Sequence, residues 1–250
     1  TVSWDDLSDL VQAKEQDKAA NNLLLIDGVN LAFRYLQRKN YDNFSDDYIR
    51  TVSSLAKSYG AKRVICCFDS GASAYRKNIF PEYKDNRKVE RTEEEQERFT
   101  AFFNCLSDTI DQLPYEHFKF KGIEADDVIA YFVKHSSEKY EHVWIVSSDR
   151  DLYQLLKENV SIFNMYSRKE ITVDSLLEDK GMTPKEYMFS RIIEGDTGDN
   201  IKGIDGIGPK RAADLVKEYK TLDNLISKNE FIETSGYGYQ DAEHGWHYCG

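Results

Sequence analysis

No two cysteines of this chain stand in a CxxC pair: Cys66 and Cys67 are adjacent inside an apolar run, and Cys105 and Cys249 stand alone. That excludes a disulfide framework and argues against structural zinc, leaving free buried thiols in a reducing compartment as the expectation. Membrane-spanning runs are missing as well. Mean hydropathy is −0.63, and no apolar stretch approaches the ~20 residues that a span needs. The first residues carry no secretory signal pattern, so a cytoplasmic protein is expected, in the host cytoplasm if it is viral. Excess positive charge is missing too: the net charge is −11. Taken globally, this argues against a nucleic-acid ligand. Acids gathered in one place leave the surface elsewhere unaffected, however, so local charge is the better guide. There is no GxxxxGK[ST] loop, which excludes a P-loop ATPase.

What is present supports a substantial core, since 40% of the 250 residues are hydrophobic. The expectation is one large domain, or one with a small companion. Leu23-Leu24-Leu25-Ile26 reads as a buried strand ending at Asp27-Gly28, and a helix with Leu31 and Phe33 follows. Ser45 is placed to cap the next helix, whose apolar face is Ile49, Val52, Leu55 and Ala56. Val64 to Phe68 is a second buried strand, ending at Asp69, and Val143 to Val146 is another, ending in Ser147-Ser148-Asp149-Arg150-Asp151. Tyr115 to Phe120 alternates like an edge strand. Leu152, Leu155 and Leu156 suggest a short helix, and Val160–Phe163 with Glu170–Val173 suggests a hairpin. Pro184 opens a helix ending near Ile193. Strands alternating with helices imply an α/β fold: a mostly parallel sheet wrapped by helices.

Ligands of such sheets bind beyond the carboxyl ends of the strands. Asp27, Asp69 and Asp149 each sit just past one. Glu124, Asp126 and Asp127 open an amphipathic helix carrying Val128, Ile129, Phe132 and Val133. Acids in a first turn also serve simply as caps, and a lone Asp after a strand is usually a turn residue. Asp151 and the loop acids Asp196 and Asp199 bring the set to nine. Two unpaired like charges ~4 Å apart at an effective dielectric of ~20 cost about 4 kcal/mol, and Arg150 is the one cation interleaved among most of these acids. Hard divalent ions resolve such repulsion. All-oxygen donors point to two Mg²⁺, with Mn²⁺ as a substitute, clamping a phosphodiester. With no evident Ser–His or Cys–His pair, the expected nucleophile is a metal-activated water.

The stretch from Arg76 to Arg91 interleaves Arg76, Lys77, Lys84, Arg87, Lys88 and Arg91 with Tyr75, Phe80 and Tyr83, which suits a single strand; a solvated loop is the plainer alternative. Thr92 caps a Glu-rich helix after it. Gly203 to Arg211 carries Gly206, Gly208, Pro209, Lys210 and Arg211, and a hairpin there would expose helix-start N–H groups to a DNA phosphate. Residues 1–20 hold Trp4, Leu7, Leu10 and Val11 at helical spacing, an arm of unassigned role. The last residues, with His244, His247 and Cys249, read as an atypical, disordered tail rather than a metal site.

In these motifs the chain resembles the 5′-nuclease (flap endonuclease) family, most closely its stand-alone bacteriophage 5′–3′ exonucleases. The resemblance rests on Ile26-Asp27-Gly28-Val29-Asn30, Phe68-Asp69, Pro81 through Arg87, Gly122 through Asp127, Ser148 through Asp151, Gly195 through Asn200 and Gly206 through Lys210. It spans roughly residues 23–226, with no counterpart expected after about Ser227. The resemblance implies a 5′-nuclease core over 23–193 with an arch region at 75–112. A helix–hairpin–helix is implied over 194–232, between an arm (1–22) and the tail (233–250). It assigns Asp27, Asp69, Glu124 and Asp126 to one metal, and Asp127, Asp149, Asp151, Asp196 and Asp199 to the second. Lys84 would neutralise the scissile phosphate, Tyr83 would stack on the unpaired base, and Arg87 and Arg34 would contact DNA. A potassium ion would sit at the helix–hairpin–helix. The implied activity is that of a monomeric, Mg²⁺-dependent nuclease acting in trans on 5′ flaps and 5′ ends of DNA in replication. The alternatives are a ribonuclease on the related PIN core, or a non-catalytic junction-binding module. Metal-dependent cleavage separates the last from the others.

Overall fold

The computed structural model describes residues 21–38, 40–87 and 91–227, with the backbone of 240–241 and 245–246. The N-terminal arm and His244, His247 and Cys249 lie outside the described residues. A six-stranded sheet runs in the order β3-β2-β1-β4-β5-β6. Its strands are β1 (Asn22–Asp27), β2 (Ala61–Phe68), β3 (Glu116–Lys119), β4 (His142–Val146), β5 (Val160–Asn164) and β6 (Lys169–Ile171). All neighbours are parallel except β6, which returns antiparallel to β5.

β1 is central because it is apolar on both faces. Leu23 and Leu25 enter one core with Ile129, Val133 and Ile145, while Leu24 and Ile26 enter another with Tyr48, Val52 and Phe102. A strand buried on both sides must read as a continuous apolar run. The first core is covered by α5 (Ala125–Ser136), and the second by α1 (Gly28–Ala32), α2 (Phe44–Ser58) and α4 (Glu93–Gln112). Between β2 and α4 lies the short helix α3 (Ala74–Ile79). After β6 come α6 (Val173–Lys180) and α7 (Pro184–Glu194), then the paired two-residue strands β7 (Gly195–Asp196) and β8 (Ile201–Lys202), then α8 (Pro209–Tyr219) and α9 (Leu222–Ser227). The last helices share a separate core of Phe189, Ile193, Ile207, Ala212, Leu215 and Val216.

Register aligns the strand ends. Ile26 of β1 pairs with Cys66 on one side and Val146 on the other. Asp27, Asp69 and the Ser147–Asp151 segment therefore leave the sheet at one edge. The chain order reverses between β1 and β4, which makes this edge the crevice of the fold.

Some local expectations change. Ser45 is not a cap: α2 starts at Phe44 after Asn43, which makes no side-chain capping bond, and the Ser45 hydroxyl instead meets Thr109 Oγ1 at 2.7 Å. Val173 is not in the hairpin strand, because Thr172 and Ser175 form a reciprocal capping box that starts α6 there. Thr92 does cap α4, in a box with Glu95.

Gly28 is required by space. A Cβ there would lie 2.2 Å from the Phe68 ring, and Phe68 is fully buried at the end of β2. Gly28→Ala is expected to cost about 1–3 kcal/mol by overpacking, read as a lower urea midpoint. An unchanged midpoint would show that the ring has somewhere else to go.

Candidate active site

The site is built from the four loops that follow β1, β2, β3 and β4 at the carboxyl edge of the sheet, with the 195–200 loop after α7. Asp27 ends β1 and caps α1: its Oδ1 accepts the Asn30 N–H at 3.1 Å, and its Oδ2 accepts the Ser147 hydroxyl at 2.9 Å. Ser147 Oγ in turn accepts the Asp149 N–H at 3.1 Å, and Asp149 Oδ1 accepts the Asp151 N–H at 2.9 Å. Asn30 meets Ser148 through both side chains, at 2.8 and 3.1 Å. These bonds lock the ends of β1 and β4 together. Asp69 reaches across to α5, where its Oδ1 accepts the Ala125 N–H at 2.8 Å. Glu124 is the N-cap of α5, and Asp127 closes a capping box by accepting the Glu124 N–H.

Four of these acids form an inner group. Asp27 is 6% exposed. Burial raises its carboxyl well above the ordinary range, and Asp69 and Asp149 raise it further. Asp126 is also held well above that range, by loss of solvent first and then by Asp27, Asp149 and Asp69. Desolvation raises Asp69 too. Among the described residues, no three acids, histidines or cysteines converge into a ready-made metal cage. The inner group is instead a set of mutually repelling carboxylates that a hard cation would relieve.

The outer acids have partners, and here the expectation of few interleaved cations is corrected. Arg76 of α3 holds Asp127 with two bonds of 2.9 Å and lies 3.3 Å from Glu124. Burial alone would raise Asp127, but the guanidinium outweighs it and its carboxyl lies below the usual value. Lys84 Nζ is 2.5 Å from Glu124 Oε1 and 3.7 Å from Asp199 Oδ2. Arg87 pairs with Asp199 and donates to the Gly198 carbonyl at 3.0 Å. Arg191 of α7 bridges Asp151 and Asp196. Arg76, Lys84 and Arg87 of the Arg76–Arg91 stretch thus supply counter-charge to the acids. Arg76 was legible there as a cation but not as a partner of Asp127, and Arg191 had no local signal at all.

Tyr83 is the clearest correction. The residue is 4% exposed, so its ring is not open to stack on a base in this structure. Its hydroxyl donates to Glu124 Oε2 at 2.9 Å and Asp199 Oδ2 at 3.0 Å, and Lys84 Nζ lies 4.8 Å from its ring centre. Lys84 itself holds a left-handed backbone, φ 59°, a conformation costing about 1–3 kcal/mol for a side-chain-bearing residue. Its N–H donates to the Asp199 carbonyl at 2.9 Å. Asn86 donates to the Thr197 carbonyl and Asn200 to the Glu82 carbonyl. The 81–87 segment and the 196–200 loop are therefore clamped face to face.

Arg34 is exposed on the turn after α1. Lys210 and Arg211 are exposed in the first turn of α8, after Gly206 (φ 75°) and the N-cap Gly208. Ile207 between the two glycines anchors this hairpin in the third core.

An acidic crevice at the switch point of a parallel sheet, joined to a helix–hairpin–helix, defines a two-part α/β protein of the resolvase-like kind. The chain belongs to the 5′–3′ exonuclease family: residues 22–181 match its N-terminal resolvase-like domain and residues 182–241 its C-terminal SAM fold. That second match runs past Ser227, where the resemblance was expected to stop. The flap endonuclease of Escherichia phage T5 is 36% identical over 225 residues, covering 87% of this chain and 77% of that protein. A 5′–3′ exonuclease of Buchnera aphidicola is 28% identical over 221 residues, covering 85% of this chain and 75% of that protein. The crystal structure of the bacteriophage T5 D15 flap endonuclease in a pseudo-enzyme–product complex with DNA and metal ions superposes with a TM-score of 0.81 at 36% identity, covering 84% of this chain and 79% of that one.

The inner carboxylates set a pH dependence in metal-free protein. A carboxyl raised on folding contributes stability that is present below the unfolded value, near ~4, and is lost as pH climbs through the folded one. In EDTA, Asp27→Asn should therefore melt higher than the parent at about pH 8, with the advantage vanishing near about pH 4. Thermal melts across that range test it. A variant that melts lower at the alkaline end would show that Ser147 and Asn30 stabilise the ionised form.

Proposed function

We propose that this chain is a divalent-metal-dependent 5′ nuclease that hydrolyses phosphodiester bonds at 5′ flaps and 5′ ends of DNA in replication, working in the cytoplasm. The observation that carries the reading is the inner group of Asp27, Asp69, Asp126 and Asp149. Burial and mutual repulsion raise Asp27 and Asp126 there; among the described residues none of the four is in an ion pair, and Lys84 only partly offsets the shift at Asp126. All-oxygen donors of this kind suit Mg²⁺, with Mn²⁺ as a substitute. We assign Asp27, Asp69, Glu124 and Asp126 to one ion, and Asp149, Asp151, Asp196 and Asp199 to a second. Such ions supply Lewis acidity and neutralise charge on the phosphodiester. Asp127 belongs to the same acidic edge, but Arg76 takes both its oxygens, so its role here is to fix α3 to α5.

The chain's own groups then orient the substrate. Lys84 Nζ, poised between Glu124 and Asp199, turns to the phosphoryl oxygens as charge grows on them. Arg87 follows the strand leaving the site. Tyr83 holds Glu124 and Asp199 in register through its hydroxyl. The first-turn N–H groups of α8, with Lys210 and Arg211, grip a duplex phosphate, and Arg34 meets the backbone on the other side. A potassium ion at the Gly203–Gly208 hairpin completes the reading.

Single-turnover cleavage of a labelled 5′-flap substrate in Mg²⁺, abolished in EDTA, is the direct test. Asp149→Asn with Asp151→Asn, checked for fold by circular dichroism, is expected to bind flap DNA in EDTA at least as tightly as the parent, because repulsion falls. It should cleave poorly at every Mg²⁺ concentration. Near-parental cleavage would remove this pair from the chemistry and leave the acids as caps of the turn that follows β4.

Replacing Lys210 and Arg211 together by Ala should flatten the dependence of log affinity on log salt by about 0.9 per lost duplex contact. An unchanged slope in the folded variant takes α8 off the DNA surface.

A further inference from the structure

Arg191 differs from the other cations of the site. Arg76 lies in α3 and Lys84 and Arg87 in the segment after it; Lys84 reaches Glu124 and Asp199, and Arg87 reaches Asp199. Arg191 comes from α7 and joins two acids from separate loops. Its Nη2 lies 2.7 Å from Asp196 Oδ2 and 3.1 Å from Asp151 Oδ1, and its Nε lies 3.2 Å from the same Asp151 oxygen. The other oxygen of Asp196 accepts the Gly198 N–H at 2.7 Å. One guanidinium thus occupies the free oxygen of Asp196 and the facing oxygen of Asp151. Its side chain is 26% exposed, so it has solvent to move into.

Resting on the assignment of Asp151 and Asp196 to the second ion, we propose that Arg191 is the built-in counter-cation of that position. It is a positioning residue that holds the two acids together in metal-free protein and is displaced when a divalent ion binds them. The warrant is electrostatic. A guanidinium in bidentate reach of carboxylates neutralises them as well as an exposed monovalent group can. A divalent ion drawn to the same oxygens meets that positive charge within hydrogen-bond reach. The two cations therefore compete, and the free energy of the Arg191 pairing is subtracted from the affinity for the second ion. At the first position Lys84 and Arg76 reach only Glu124, and among the described residues Asp27, Asp69 and Asp126 carry no ion pair. The two ions should then bind with unequal strength, the weaker at the Arg191 end. The arrangement keeps the acids of the 196–200 loop paired when divalent ions are scarce.

The test needs no turnover. Mn²⁺ binding to the intact protein, without DNA, is followed by titration calorimetry and electron paramagnetic resonance. Thermal melts are recorded with and without EDTA. Arg191→Gln keeps side-chain donors and removes the charge. It should melt lower than the parent in EDTA, gain more from Mn²⁺, and bind the weaker ion about tenfold more tightly, a usual size for coupled binding. The tighter site should stay unchanged. Arg191→Lys keeps the charge but loses the Nε bond to Asp151; it should tighten the weaker site by less, and it carries the test if the Gln variant does not fold. A weaker site of unchanged or reduced affinity overturns the inference, as does a single site in parent and variant alike. Asp149→Asn with Asp151→Asn separates the two levels. If that double variant loses the weaker site while Arg191→Gln is neutral, the counter-cation role fails and the two-ion reading stands. If it keeps both sites, the two-ion reading fails first.

Discussion

Repulsion among carboxylates at one sheet edge is the constraint around which this molecule is arranged. Parallel pairing of β1 with β2 and β4 forces Asp27, Asp69 and Asp149 to the same side, and α5 delivers Glu124 and Asp126 to them. Such a gathering costs folding free energy unless it is offset. The offset comes in two forms. The outer acids are paired with Arg76, Lys84, Arg87 and Arg191, each from outside the strands. The inner acids meet hydrogen-bond donors, Ser147 and the N–H groups of Asn30 and Ala125, but among the described residues no ion-pairing side chain. What remains unbalanced is confined to the place where chemistry on a charged phosphodiester is required.

The support beneath that edge is rigid. Tyr48, fully buried, donates its hydroxyl to the Gly28 carbonyl at 3.0 Å and so props the β1–α1 turn from below. Phe44 and Phe102 pack around it and each other, their ring centres 5.6 Å apart. Each such buried ring stabilises the fold by about 1.5–3 kcal/mol. Carboxylates held against a packed floor keep their spacing, which is what selective ion binding needs.

Much of this was legible in the sequence, and for a physical reason. Apolar runs such as Leu23–Ile26 and Val143–Val146 can be buried only as strands covered on both faces, and the residue after each run must then emerge at the sheet edge. Helix starts were readable as well: Thr92 before its Glu-rich helix, and Pro184 at the start of α7. What was not legible is pairing at a distance. Arg76 and Asp127 are 51 residues apart, and Arg191 and Asp151 are 40 apart; no periodicity links them. The same blindness made Tyr83 look like an open stacking ring. Its neighbours in sequence, Glu82 and Lys84, are charged, while the acids its hydroxyl meets, Glu124 and Asp199, lie 41 and 116 residues away.

The clamp between the 81–87 segment and the 196–200 loop bears on how the molecule comes into being. Its bonds join residues 111 to 118 positions apart, and the left-handed turn at Lys84 leans on the Asp199 carbonyl. A chain made from its N-terminus can pair β1, β2 and β4 while the ribosome is still adding α6, but at that stage Lys84 has Glu124 without Asp199, and Arg87 lacks the Asp199 it pairs with. The cutting edge is therefore among the last parts to take shape. A half-made copy carries the sheet and its inner acids without the grip that presents a strand to them.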